Sequence, residues 1–414
     1  MKKQLFFLAA GAIAMASCTS DEVVSVNPGS AIEFATALGT NTRATNAIED
    51  ANGLASAGGF YVMAQQNAES LTPTEGQTSG KPEIVIDDKE VTMTDAGKWK
   101  AAETYYWPNF GVDFYAYSKP GAGVSKNAYN QFTITPATTG DQFDFLYANT
   151  MNVKKTTGAV SLNFRHALSQ INCKVYNSKQ DFITATVQGW KIGFVDGSGV
   201  FTYNDANTDG RNAGTDKKVL AYTDWSGNTD VTTALATEAK AKDIANAVYT
   251  RELTSPVALT ADSKTNAVEI VANDPMILVP QEIQGFVKDE KDGMKDGDAI
   301  RGAYLAVKVK YTYKLTGDTA YEGWAYFPLK ANTDSADKTW KPGYKYTYII
   351  DLSNGGYKEP DSDPTLDPTN PGPDPKDDDQ DNDPDPIFKN MPIEFEITVD
   401  AWDTTPGEID LGTL

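Results

Sequence analysis

The sequence is short of the residues that most enzymes depend on, with one histidine, two cysteines and five arginines in 414 residues. Zinc sites built on several histidines are excluded, and a Ser-His-Asp triad would rest on His166 alone. Lying in Phe164-Arg165-His166-Ala167-Leu168, that residue reads as a structural hydrogen-bonding group. With Cys18 assigned below to a lipid, Cys173 has no partner for an intrachain disulfide. It alternates with Ile171 and Val175, the pattern of a small buried apolar residue. Basic residues are also scarce: 36 Lys and Arg stand against 57 Asp and Glu, a net charge of −21 that excludes nucleic acid as a partner. Such a repulsive exterior suits the cell surface or the extracellular space. The Gly76-Gln-Thr-Ser-Gly-Lys81 stretch is no phosphate loop, because its glycine spacing is short and Pro82 stands where a magnesium-binding Ser or Thr belongs. Acidic pairs are too common here to single out a glycosidase pair. No catalytic residue and no cofactor is assigned.

What is present begins at the amino end. Lys2 and Lys3 precede an apolar run from Leu5 to Met15, and Ala16-Ser17 lead into Cys18. The run is too short to span a bilayer and has the charged start and small-residue end of an export signal. Residues 1–17 are therefore expected to be removed, leaving Cys18 as the acylated N-terminus of an outer-membrane lipoprotein. Two or more acyl chains, at about 0.8 kcal/mol per buried methylene, hold such a protein stably on a membrane.

The body reads as all-β. Tyr304 to Tyr313, Tyr344 to Ile350 and Val160 to Phe164 are short, rich in β-branched and aromatic residues, and alternate with period two. Many such strands separated by Gly, Asn, Asp and Pro clusters predict β-sandwiches. One helix is expected, over Ala234 to Val248. Asp205, Asn207, Asp209 and Asp216 stand at EF-hand-like spacing around Gly210. Asp216 is shorter than the usual glutamate, and Tyr203 and Val219 suggest flanking strands, so the segment is read as a polar hairpin loop and no metal is assigned.

Both ends carry an unusual strand. Residues 358–387 hold eleven acidic residues, two lysines and eight prolines. The composition predicts an extended, self-repelling linker with a reach of somewhat under 100 Å at about 3 Å per residue. Beyond it, Ile393, Phe395, Ile397 and Val399 alternate on one face of Pro392 to Asp400, and an apolar face on a tethered strand has to complete a sheet, its own or a neighbour's. Near the other end, Ala31 to Leu38 reads as a strand with Ile32 and Phe34 on one side. The polar stretch Gly39 to Thr45 follows, with Arg43 as a candidate processing site before Ala44.

Taken together, Thr42-Arg43-Ala44-Thr45, Trp99 with Tyr105-Tyr-Trp-Pro108, Val112-Asp-Phe-Tyr-Ala-Tyr117, Asp144-Phe-Leu-Tyr-Ala148, Val160 to Ser169, Ile277-Leu-Val-Pro-Gln281 and Trp340-Lys-Pro-Gly-Tyr344 resemble the fimbrillins, the subunits of type V pili. The resemblance implies two transthyretin-like β-sandwich domains and a lipoprotein precursor. It also implies an arginine-specific protease that cuts in the Thr-Arg-Ala region and releases the first strand. A C-terminal strand from the adjacent subunit, itself another copy or a related pilus subunit, then fills the vacated groove.

The expected organisation is a signal peptide over 1–17, a propeptide with the first strand over 18–43, sandwiches over 44–178 and 179–357, a linker over 358–390 and a donor-strand appendage over 391–414. Arg43 and Ala44 flank the cleavage, Ile32 and Phe34 mark the displaced strand, and Ile393, Phe395, Ile397 and Val399 mark the donor. Contacts are then head-to-tail and propagate as an extracellular fimbrium with a role in adhesion. The alternative is a lipoprotein that stays anchored, or a tip or base component, binding a glycan or host ligand through aromatics such as Tyr222 and Trp225. That alternative keeps Cys18 and folds the last strand back into its own sheet.

Overall fold

The computed structural model describes residues 30–38, 48, 50–68, 82–140, 142–155, 158–202, 225–226, 246–283, 303–330, 339–357, 387–388 and 395–401. Cys18, Arg43, Ala44, the Gly76 to Lys81 stretch, the Asp205 to Asp216 loop, Tyr222 and Ile393 lie outside the described residues, as does most of the segment expected to be helical.

The first half runs β1 (Phe34–Leu38), α1 (Ala51–Ser56), β2 (Phe60–Gln66), β3 (Ile84–Met93), β4 (Trp99–Ala101), β5 (Val112–Ser118), β6 (Val124–Ala128), β7 (Gln131–Ile134), β8 (Leu146–Val153) and β9 (Val160–His166). Seven of these strands close a barrel in the order β1-β4-β3-β2-β5-β8-β9. The ring closes because β1 joins β4 to β9. Alternation supplies its core: Phe60, Val62 and Ala64 of β2, Val112, Phe114 and Ala116 of β5, and Val160, Leu162 and Phe164 of β9 share one buried cluster. Each such side chain contributes roughly 1.5–3 kcal/mol by leaving water. Helix α1 was not expected, being too short for its period to show. Asp50 caps it by accepting from the Gly53 N–H at 2.7 Å, and Leu54 is buried beneath it. The chain enters β2 through Gly59 at φ +83°, where a Cβ would stand 2.2 Å from the Val91 carbonyl oxygen, so only glycine fits.

The second half runs β10 (Ser169–Tyr176), β11 (Ile183–Asp196), β12 (Gly199–Thr202), β13 (Trp225–Ser226), β14 (Asn246–Ala258), β15 (Val268–Glu269), β16 (Met276–Leu278), β17 (Gln281–Glu282), β18 (Tyr304–Tyr313), β19 (Thr319–Pro328), β20 (Thr339–Trp340), β21 (Tyr344–Asp351) and β22 (Phe395–Ala401). Residues 246–248 thus open a strand, not the end of a helix: Tyr249 and its neighbours pair with β11, and tertiary pairing overrides local propensity. One sheet has the order β15-β10-β21-β22 with β16 also on β10, another has β14-β11-β18-β19, and a single core joins them. Cys173 is fully buried in that core, which pushes its thiol well above the ordinary range.

Strand β10 pairs in parallel with β21 over Gln170 to Tyr176, so the crossing between the two units falls at Ala167-Leu168. These units are also fused. A further sheet, β13-β12-β7-β6, draws strands from both halves, with Gly199 to Thr202 paired to Ile134 to Gln131. Above it lies a third core containing Tyr117, Phe132, Phe145, Phe201, Trp225 and Ile277. Strand β5 is therefore buried on both faces, Val112 and Phe114 in the barrel and Tyr115 and Tyr117 in the joint. Arg251 ties the joint: it donates to Gln142 Oε1 at 2.6 Å and pairs with Asp274 at 3.0 Å, while Gln142 also accepts from the Ile277 N–H at 2.7 Å.

Candidate assembly site

Strand β1 sits in a slot that the rest of the barrel leaves open. On one side it runs parallel to β9, Phe34 opposite Val160 through Leu38 opposite Phe164. On the other, Phe34 pairs antiparallel with Trp99 of β4. Backbone bonds extend the seam upstream, with Ile32 N donating to Tyr105 O at 2.8 Å, Trp107 N to Ser30 O at 3.2 Å and Val160 N to Glu33 O at 2.7 Å.

The side chains alternate as the sequence predicts. Ile32 and Phe34 are buried in the barrel core, whereas Ala31 and Glu33 are exposed. The Phe34 ring meets Phe60 at 6.1 Å and Phe114 at 6.2 Å, both edge to face, a geometry that favours a flat ring at this position. Thr36 holds the third inward place and accepts from the Trp99 indole N–H at 2.8 Å. Trp99, Phe60 and Val160 were not legible as slot residues, because nothing local tells a strand at residue 34 that it will pair with one at residue 160. Thr36→Val removes the acceptor at unchanged volume and is expected to lower precursor stability by about 1 kcal/mol, read by denaturant unfolding.

The other marked strand is not free. Strand β22 pairs antiparallel with β21, Phe395 opposite Ile350 through Ala401 opposite Tyr344, and Ile397 is buried in the second core. The tether is held at its neck as well. Ile387 N donates to Gly356 O at 2.7 Å, Phe388 packs on Tyr311 at 5.1 Å, and Tyr357 pairs with Tyr326 of β19. Gly356 and Ile387, which flank residues 358–386, therefore stand side by side, and the linker residues themselves lie outside the described residues. The physical reason is that the apolar pair Ile387-Phe388 and the face of β22 both find cover on the second unit.

His166 is structural, its Nδ1 lying 2.9 Å from an Asp144 carboxylate oxygen, both side chains buried. Asp144 also accepts from the Ile48 N–H at 3.0 Å, which pins the chain downstream of Arg43 to the barrel. Trp225, considered for ligand binding if exposed, is buried against Phe201 at 5.6 Å. Among the described residues no group of three or more His, Cys, Asp or Glu side chains is placed to hold a metal.

The fold is similar to that of a fimbrial protein from Bacteroides vulgatus ATCC 8482, with a TM-score of 0.50 and 15% identity over 90% of this chain and 99% of that one. A second similar structure is the C-terminally truncated tip fimbrial protein Mfa3 from Porphyromonas gingivalis, with a TM-score of 0.36 and 8% identity over 90% of this chain and 100% of that one. No curated protein matches the sequence. The fimbrillin-like family model matches residues 42–368, most of the chain, and the chain belongs to that family.

Proposed function

We propose that this protein is a structural subunit of a type V pilus, exported as a lipoprotein on Cys18, cut after Arg43 by an arginine-specific protease and polymerised by strand exchange. The observation that supports this reading best is the slot itself. One short strand closes the barrel, its apolar residues sit in the core, and the candidate cleavage bond follows Leu38 by only five residues. Cutting there removes the lipid and the plug together and leaves β4 and β9 as unpaired edges over an apolar groove, which water does not tolerate. An alternating strand from a neighbour restores the ladder and the core, as in donor-strand complementation. Subunits then join head to tail into a fimbrium that serves adhesion at the cell surface. In this reading the structure with β1 seated is the precursor, and β22 on β21 is a donor held at home.

That same placement of β22 favours a second reading, an anchored surface lipoprotein or tip or base component that binds a glycan or host ligand. The two separate on purified precursor trimmed with limiting trypsin. A new N-terminus at Ala44 with a ladder of heat-labile multimers on an unboiled denaturing gel is the outcome expected for a polymerising subunit. Resistance at Arg43, or cleavage that yields monomer alone, moves the assignment to the anchored protein.

A further inference from the structure

Building on the strand-exchange reading, we infer that the slot is made for the C-terminal strand of a second copy of this same chain. The strand enters in a single register, with Ile393, Phe395, Ile397 and Val399 in the places of Ile32, Phe34, Thr36 and Leu38. The tripeptide Ile-Glu-Phe occurs at 32–34 and 393–395 and nowhere else in the sequence. The plug and the donor are thus near-copies of one another, Ile-Glu-Phe-Ala-Thr-Ala-Leu and Ile-Glu-Phe-Glu-Ile-Thr-Val, with the same spacing of inward positions.

The slot has the features to enforce that register. A slip by one residue turns Glu394 and Glu396 into the core, which the pleat forbids. A slip by two in either direction takes the Phe395 ring out of the edge-to-face pocket of Phe60 and Phe114 and sets an isoleucine there. Orientation follows from the repeat: the incoming strand runs as β1 does, parallel to β9.

The two strands differ most at the third inward position. Thr36 satisfies the Trp99 indole, whereas Ile397 offers no acceptor and a larger apolar side chain. The plug is therefore the less apolar of the two occupants. At home, moreover, β22 is among the described residues the edge strand of its sheet with β21 as its one neighbour, while the slot gives a strand neighbours on both flanks, β9 and β4. Transfer from copy to copy replaces one-sided pairing with two-sided pairing, against the cost of baring the β21 edge.

Cysteine pairing tests both register and partner. In the proposed register Glu396 takes the place of Ala35, which stands opposite Ser161 on the outer side of β9. Ser161→Cys is combined with Glu394→Cys, Glu396→Cys or Thr398→Cys in separate chains. Each is trimmed after Arg43 and oxidised with copper phenanthroline in air, and an unoxidised sample confirms that the variant still assembles. Cys173 is buried and takes no part. Glu396→Cys is expected to cross-link at least tenfold more than the other two and to give a reduction-sensitive ladder from the purified chain alone. Preferred cross-linking at 394 or 398 overturns the register, and polymers that form only when a different subunit is added overturn the self-partner, while both leave strand exchange standing. Failure of the trimmed, unsubstituted chain to form multimers with any fimbrial subunit overturns the exchange reading together with this one.

Discussion

Phe34→Ala lowers the stability of the precursor by about 3–5 kcal/mol and leaves the assembled polymer unchanged. The first half of that result follows from packing: Phe34 lies in the barrel core between Phe60 and Phe114, and truncating a buried phenylalanine removes its transfer energy and leaves a cavity. Its second half follows from processing, because residue 34 lies upstream of Arg43 and is absent from the proposed mature subunit. Denaturant unfolding of the precursor, followed by tryptophan emission, gives the first number. Heat dissociation of multimers on an unboiled gel gives the second. Trp99 sits beside the plug and makes the emission sensitive to its loss. Multimers weakened in step with the precursor would mean that Phe34 persists in the filament, and the processing step would have to be abandoned.

Phe395→Asp combined with Ile397→Asp abolishes filaments. Each apolar side chain contributes roughly 1.5–3 kcal/mol on burial, and a carboxylate in its place must be desolvated or left without a slot. From the sequence alone the monomer is expected to stay folded and soluble, whether the strand completes its own sheet or a neighbour's. With Ile397 buried in the second core, the double variant instead also lifts β22 from β21. As β22 is an edge strand joined to the body through the linker, the barrel and the remaining sheets stay folded and the chain stays soluble. Negative-stain microscopy of the trimmed protein reads the filaments, and circular dichroism of the precursor reads the fold. Normal filaments from this variant would sink the donor assignment.

Strand identity was legible because it is written locally. Tyr304 to Tyr313 and Val160 to Phe164 alternate, and both are strands. Ile32 and Phe34 share a face in the sequence and a core in the structure. What escaped depends on partners distant in the chain. Nothing near residue 34 names Val160 as its neighbour, and nothing near Ser169 says that β10 will leave the barrel to pair with β21. The acidic segment was read from its overall composition, yet two apolar residues near its end, Ile387 and Phe388, set where that end lies. The Ala-rich stretch ending at Val248 pointed to helix, but long-range pairing to β11 makes its last three residues strand. The repeated Ile-Glu-Phe was visible throughout; its meaning required seeing the pocket that receives the first copy.

The sheet shared between the two halves bears on how such a subunit responds to force. In the proposed fimbrium, tension would enter at the barrel through the received strand and leave through the donated one, crossing the joint in every subunit. Only one covalent crossing, at Ala167-Leu168, would carry it in a beads-on-a-string design. Here the β7–β12 ladder, the aromatic cluster above it and the Arg251-Asp274 pair lie across the same gap and share the load. In the proposed fibre each subunit is thereby a stiff link.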